Sequence, residues 1–145
     1  MTPVSKTRYL DHLRNVPIFA RCTKKQLDHV ASIVTELRLP KGTEVMAEGS
    51  MAHEFIVIQT GTATVKRGGR KIASLGAGDV VGELALILHR PRNATVMAET
   101  DLSVLVVDAR SFERLLNEVP GLARQLLTTV AERLADTSKP TELLH

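Results

Sequence analysis

The chain has 145 residues, of which 43% are hydrophobic and 24% are charged, and its formal net charge is +3. This is the composition of a soluble globular protein, and no apolar run approaches the ~20 residues that a membrane span needs. The basic residues are scattered from Lys6 to Lys139, so we expect one domain with no membrane span and no nucleic-acid binding by this chain alone.

The first 34 residues are predicted to form an N-terminal helical segment. Met1–Arg14 lacks the apolar block of a signal peptide. Within it, Thr7–Leu13 is suited to a short helix, which the proline of Val16–Phe19 ends. Thr23 is a suitable N-cap for a second helix over Lys24–Val34, whose apolar residues recur at helical spacing.

Between residues 35 and 108 the pattern changes to short runs of β-forming residues separated by turns. The runs with the length and composition of strands are Glu36–Leu39, Thr43–Ala47, Glu54–Gln59, Thr62–Lys66, Lys71–Leu75, Thr95–Ala98 and Ser103–Val107. Short strands at this even spacing are typical of an antiparallel sandwich or barrel. The basic cluster Lys66–Lys71 surrounds the pair Gly68-Gly69, which is typical of a solvated hairpin tip, and a phosphate-binding patch is the alternative.

Helical spacing returns over residues 110–138, which are predicted to form two C-terminal helices. Ser111 is placed to cap Phe112–Asn117, and Pro120 suits the first turn of a final helix that ends at Thr137–Pro140. The final helix carries an apolar stripe made of Leu122, Leu126, Leu127, Val130, Ala131 and Leu134. The stripe either packs on the barrel or pairs with a second copy of the chain as a homodimer, and the sequence leaves both open.

The segment with the most distinctive chemistry follows the fifth of these runs. Gly82 lets the backbone turn, and the stretch from Glu83 to Ile87 can form one helical turn whose first amides bind an anion. Arg92 can donate two hydrogen bonds to a phosphate, and the small Ala94 allows close approach. Glu83 would repel an anion and is suited to accept hydrogen bonds from sugar hydroxyl groups. The alternative is that Glu83 and Arg92 pair with each other inside the barrel.

The run Val80–Ile87 together with Pro91–Val96 resembles the phosphate-binding cassette of cyclic nucleotide-binding domains. The likeness extends over nearly the whole chain. It implies a mainly β fold, an eight-stranded antiparallel jelly-roll β-barrel over residues 35–108 with N-terminal helices and two C-terminal helices, and a cassette at 80–96. The chain is thus expected to be a single cyclic nucleotide-binding domain over residues 1–145.

The resemblance also implies a role for each cassette residue. Glu83 is expected to hold the ribose 2′-hydroxyl and Arg92 the cyclic phosphate, while Gly82 permits the ribose to approach. The remaining phosphate donors implied by the resemblance are backbone amides, those of Leu84, Ala85 and Ala94.

Two further places bear on the choice of base. In the family, a hydroxyl-bearing residue after the arginine favours guanine and alanine goes with adenine, whereas this chain has Asn93, which donates and accepts and decides neither. Thr137 and Ser138 resemble the Thr-Ser pair by which catabolite-activator-type proteins contact adenine, and a simple helix-end cap is the alternative. The resemblance makes cAMP the expected ligand and cGMP the second candidate.

These features predict a binding module and not an enzyme. The histidines are dispersed, and Ser, Cys and His form no nucleophile constellation, so we expect no catalytic residue, metal site or catalytic cofactor. The lone Cys22 has no internal disulfide partner, which favours the cytoplasm. We expect an intracellular sensor whose C-terminal helices close over the ligand and whose signal an unidentified effector protein or domain reads.

The sequence fits either a stand-alone sensor or a regulatory domain of a larger channel, kinase or transcription regulator. A complete transcription regulator is not expected, because no helix-turn-helix pattern follows Pro140.

Overall fold

The computed structural model describes residues 13–15, 19–20, 22–81, 90–119 and 121–135, with the side chains of 129–130 and 133–135 excepted. Its centre is a pair of four-stranded antiparallel sheets. Sheet 1 has the strand order β1-β8-β3-β6 and contains β1 (Thr35–Leu39), β8 (Leu102–Asp108), β3 (Glu54–Thr60) and β6 (Val80–Val81). Sheet 2 has the order β2-β7-β4-β5 and contains β2 (Glu44–Met46), β7 (Thr95–Ala98), β4 (Ala63–Arg67) and β5 (Arg70–Leu75).

The expected mainly β architecture with flanking helices is confirmed, as are the runs expected to be strands, whose bounds differ by at most one residue at either end. The strand that the sequence did not predict is β6, because a run of two residues is too short to be recognised between turns. The ladders join strands within each sheet, and across the described residues none joins sheet 1 to sheet 2. The described residues therefore form two packed sheets.

The hydrophobic residues form two cores, one on each face of sheet 1. Successive residues of a strand point to opposite faces, so Ile56 and Ile58 of β3 enter one core while Phe55 and Val57 enter the other. The core between the sheets also contains Met46, Ala63, Val65, Leu75, Val81, Ala94, Val96, Ala98, Leu102 and Val104. The core between sheet 1 and the helices also contains Leu13, Phe19, Leu27, Val30, Val80, Leu105, Val107, Phe112, Leu115, Val119, Leu122 and Leu126.

Helix α1 (Lys24–Ile33) begins as the sequence predicts. The Thr23 hydroxyl accepts from the backbone N–H of Gln26 at 3.2 Å, and the Gln26 side chain accepts from the backbone N–H of Thr23 at 2.8 Å. This reciprocal pair satisfies two amides that the first turn leaves without helical partners. The helix ends one residue earlier than predicted, because Val34 is already extended.

Helix α2 (Ala109–Glu118) begins three residues before the predicted start at Phe112, so the predicted cap at Ser111 is wrong. Asp108 is the cap: its side chain accepts from the Ser111 backbone N–H at 2.8 Å. Because Asp108 is also the last residue of β8, the chain passes from strand to helix without a loop.

Helix α3 (Leu122–Ala135) spans the residues of the predicted apolar stripe. Leu122 and Leu126 are buried in the helix core, so this part of the stripe packs within the chain. Leu127 is 68% exposed, and the homodimer stays a prediction. Thr137 and Ser138 lie outside the described residues, as does most of the helix expected at Thr7–Leu13. Each helix in the described part of the chain is too short or too polar for a transmembrane segment.

Candidate functional site

The predicted site residues divide into a described part and a part that lies outside the described residues. Arg92, Asn93 and Ala94 belong to the first. Gly82, Glu83, Leu84, Ala85, Thr137 and Ser138 belong to the second, and their roles stay predictions.

The backbone of Arg92 is held on both sides by the turn that connects β2 to β3. The Arg92 N–H donates to the Ser50 carbonyl at 2.7 Å, and the Arg92 carbonyl accepts from the Gly49 N–H at 2.8 Å. Gly49 has φ +84°, a conformation that costs an L-residue strain energy. The glycine turn predicted from sequence thus has a second role, since it fixes the peptide groups of the arginine.

The Arg92 side chain is 5% exposed, and no other charged side chain in the described residues is buried to this degree. Its Nη2 donates to the backbone carbonyl of Glu54 at 2.6 Å. A guanidinium stays charged in proteins and carries five N–H donors in a planar fork, of which this bond uses one. The structure thus provides a desolvated, oriented cation at the position that the sequence assigns to phosphate binding.

Asn93 and Ala94 follow in opposite environments. Asn93 is exposed, whereas Ala94 is 1% exposed and belongs to the core between the sheets. The small side chain predicted to allow close approach therefore lies where a longer one would displace core residues.

Arg67 is a residue of this site that sequence reasoning missed. Its Nε donates to the Asn93 carbonyl at 2.9 Å, although the two residues are 26 apart in the chain. Gly68 and Gly69 have φ +57° and +80°, as a two-residue hairpin turn between β4 and β5 requires. The predicted hairpin is confirmed, but its tip is not purely solvated, because Arg67 is half-buried against the Asn93 segment. The sequence feature that pointed to Arg67 was the basic cluster Lys66–Lys71, for which a phosphate-binding patch was the alternative.

The beginning of β3 connects this site to helix α2. The Glu54 carbonyl accepts from Arg92, and the neighbouring Phe55 ring stacks on Phe112 of α2 with ring centroids 4.6 Å apart. The Ala109 N–H, in the first turn of α2, donates to the His53 carbonyl at 2.9 Å. The three consecutive residues His53, Glu54 and Phe55 thus connect the two: Glu54 contacts the arginine, and its two neighbours contact the helix.

Burial raises the pKa of the Cys22 thiol, which disfavours its thiolate form.

Comparison with known proteins identifies the family. The family model described as the cyclic nucleotide-binding domain matches residues 36–119, which is more than half of the chain. This chain belongs to the cyclic nucleotide-binding domain family. The match covers both sheets except Thr35 and ends at the residue that follows α2.

Relatives of this cyclic nucleotide-binding domain include regulatory subunits of cAMP-dependent protein kinase. The subunit from Hypocrea atroviridis is 32% identical over 117 residues, which are 81% of this chain and 25% of the relative. The subunit from Schizosaccharomyces pombe is 35% identical over 117 residues, 80% of this chain and 28% of the relative. The chain thus spans only about a quarter to a third of the length of the curated relatives it matches.

Solved structures have the same fold. The regulatory domain of Toxoplasma gondii protein kinase A, crystallised with cAMP, superposes with a TM-score of 0.75 at 26% identity, covering 87% of this chain and 49% of that one. The N-terminal domain of a transcriptional regulator from Streptomyces coelicolor A3(2) gives a TM-score of 0.69 at 31% identity, covering 88% of this chain and 94% of that one. Domains of this size therefore occur in both kinase and transcriptional regulators.

Proposed function

We propose that this chain binds a 3′,5′-cyclic nucleotide, with cAMP as the preferred ligand, and acts as an intracellular sensor of that second messenger. The observation that carries the proposal is the buried, backbone-anchored Arg92 in a chain of the cyclic nucleotide-binding family. A relative of similar fold is solved with cAMP bound, which supports the same ligand here.

In this proposal, Arg92 binds the cyclic phosphate and the rest of the cassette surrounds it. Glu83 accepts from the ribose 2′-hydroxyl, and Gly82 leaves room for the sugar. The backbone amides that complete the phosphate site are those of Leu84, Ala85 and Ala94.

Arg92 supplies charge and direction. A guanidinium forks two parallel N–H donors onto two oxygens, and its hydrogen bonds to an anion are roughly twice as strong as neutral ones. In the described structure one of its donors bonds to the Glu54 carbonyl. An arriving phosphate, as an ionised acceptor, outcompetes this neutral carbonyl, and the guanidinium then turns away from β3 toward the ligand.

The C-terminal helices are proposed to close over the bound nucleotide, with Thr137 and Ser138 near the base. The ligand shifts a pre-existing equilibrium between open and closed states by its differential affinity for the two. We further propose that the two sheets form the jelly-roll barrel of the family, because the order β1-β8-β3-β6 facing β2-β7-β4-β5 alternates strands of two Greek keys.

The decisive experiment is isothermal titration calorimetry of cAMP into the wild type and Arg92 variants. Arg92→Ala should weaken binding by at least about tenfold, because a desolvated phosphate loses its charged partner. Arg92→Lys keeps the charge but not the planar fork, so its affinity should lie between the two.

Arg90→Ala is the matched control, since it removes the same charge two residues away from an exposed position. Its affinity should stay close to that of the wild type. Thermal melts without ligand show that each variant is folded. Equal cAMP affinity of wild type and folded Arg92→Ala would contradict the assignment.

The second candidate is a cGMP-selective sensor, which the donor and acceptor groups of Asn93 leave open. Titrating cAMP and cGMP side by side at the same protein concentration distinguishes the two, since our proposal requires the tighter binding to be to cAMP. Asn93→Ala should then leave cAMP affinity within about threefold, because Asn93 is exposed and its carbonyl bond to Arg67 does not depend on the side chain.

For the effector, we propose a class of protein and not an individual protein. The named relatives are regulatory subunits of a protein kinase, so a kinase catalytic subunit is the first effector to test. A channel or a DNA-binding domain joined to the same sensor is the alternative.

A further inference from the structure

The peptide group between Asn93 and Ala94 has its carbonyl oriented by a charged side chain from another strand. Arg67 Nε lies 2.9 Å from the Asn93 oxygen. A trans peptide unit is planar, so its C=O and its N–H point in opposite directions. Fixing the Asn93 carbonyl therefore also fixes the direction of the Ala94 N–H.

Arg67 is itself held in place from two sides. The ladder between β4 and β7 ends at the pair Lys66 and Thr95, and the Arg67 side chain extends the contact between these strands to Asn93. At the hairpin turn, the Gly68 N–H donates to Glu48 Oε2 at 3.2 Å.

Glu48 in turn anchors the tip to sheet 2. Its backbone N–H donates to the Thr95 hydroxyl at 3.0 Å. Glu48 also directly precedes Gly49, which bonds the Arg92 carbonyl. The hairpin tip, the β2–β3 turn and the start of β7 therefore hold the segment 92–94 from several sides.

We propose that Arg67 is a positioning residue of the nucleotide site: through the Asn93 carbonyl it aims the Ala94 N–H at the phosphate. Arg67 acts through a peptide group and makes no contact with the ligand. A cation bonded to the carbonyl also polarises the peptide and strengthens its N–H as a donor. This inference rests on the proposed function, because it names a further residue of the same site.

The test compares two charge removals at one turn. Arg67→Met deletes the guanidinium and keeps much of the side-chain volume. Arg70→Met removes the same charge from the exposed partner of Arg67 across the hairpin. Calorimetry with cAMP should show a loss of roughly threefold to tenfold for Arg67→Met, the size of one hydrogen bond, and less than about twofold for Arg70→Met. Arg67→Lys should recover only part of the loss, since it restores charge without a planar donor.

A second readout separates positioning from general loosening. The Rp and Sp phosphorothioates of cAMP replace one or the other exocyclic phosphate oxygen by sulfur, which is a weak acceptor. An N–H aimed at one of these oxygens makes the two diastereomers bind unequally. Arg67→Met should therefore change the ratio of their affinities, whereas Arg70→Met should leave the ratio as in the wild type.

The outcomes distinguish this inference from the function on which it rests. Failure of the wild type to bind cAMP or cGMP contradicts the proposed function. Binding by the wild type with equal losses in Arg67→Met and Arg70→Met would mean that long-range charge attraction, not positioning, is at work. An Rp-to-Sp ratio that Arg67→Met leaves unchanged would also overturn the inference.

Discussion

At the scale of single residues, the buried Arg92 gives the most direct support for the proposed function. Moving a charge out of water costs several kcal/mol, and this side chain is 5% exposed. The chain incurs that cost on folding, when Gly49 and Ser50 bond the arginine backbone and Glu54 accepts from the guanidinium. Under the proposed function, a phosphate meets a donor that is already desolvated, so less free energy is lost on binding than with a solvated arginine.

Gly61 provides a residue-scale prediction about stability. It has φ +93°, and a Cβ there would lie 2.3 Å from the Asp101 carbonyl oxygen. Gly42 has nearly the same φ of +90°, and a Cβ added to it would meet nothing within 4 Å. Gly42→Ala should therefore cost only the left-handed strain of about 1 kcal/mol, while Gly61→Ala should cost roughly 3 kcal/mol or more.

Urea unfolding of both variants measures this difference. A similar loss of unfolding free energy in Gly61→Ala and Gly42→Ala would show that the approach to Asp101 is relieved without cost.

At the scale of elements, the junction between β8 and α2 joins the helix directly to sheet 1. Asp108 ends the strand and caps the helix, so helix α2 cannot shift along its axis without breaking the cap or pulling on β8. The stacking of Phe55 on Phe112 holds the same helix to sheet 1. Such aromatic pairs contribute about 0.5–1.5 kcal/mol beyond their buried area.

The Asp108 cap predicts a pH dependence. The backbone N–H of Ser111 lowers the pKa of the Asp108 carboxyl below its usual range. A carboxylate with a lowered folded-state pKa stabilises the protein above its unfolded-state pKa, and that contribution is lost as pH falls through the folded-state value. Asp108→Ala should cost about 1 kcal/mol at neutral pH.

Asp108→Asn is the matched variant, because asparagine also caps but does not titrate in this range. In urea unfolding between about pH 6 and pH 2.5, the stability of the wild type relative to Asp108→Asn should fall with pH. A difference between the two that is constant over this range would contradict the role of the ionised cap.

At the scale of the whole molecule, sheet 1 is shared by both cores. Its strands supply Phe55 and Val57 to the helix core and Ile56 and Ile58 to the core between the sheets. Arg92 bonds to the Glu54 carbonyl at the start of β3, and Phe112 of α2 stacks on the neighbouring Phe55. Under the proposed function, a single strand thus connects the phosphate site to helix α2.

This arrangement predicts that both cores unfold as one unit. Phe112→Leu should lower stability by about 1 kcal/mol. In urea titrations followed by NMR, the methyl signals of Val30 in the helix core and of Val65 in the core between the sheets each report an unfolding midpoint. The substitution should shift both midpoints by the same amount. A shift confined to Val30 would show that the helix layer unfolds on its own and that sheet 1 does not couple the two.

Features that depend on local pattern could be predicted from the sequence without any knowledge of the packing. The strand runs, the Gly68-Gly69 hairpin and the Thr23 cap follow from β-forming runs between turns, a glycine pair and a hydroxyl before a helix. Each is decided within a few neighbouring residues. The position of Arg92 in a cassette-like segment is also local, and it led to the family that the comparison then confirmed.

Which distant groups meet was decided by the packing of the folded chain. Arg92 is 38 residues from Glu54 and Arg67 is 26 from Asn93, and no short-range pattern specifies such pairs. The start of α2 was missed because Asp108 and Ser111 are both suitable caps locally, and the strand leading into the helix selected Asp108. Local preferences determine the elements, whereas the packing of sheet 1 between two cores determines which side chains form the site.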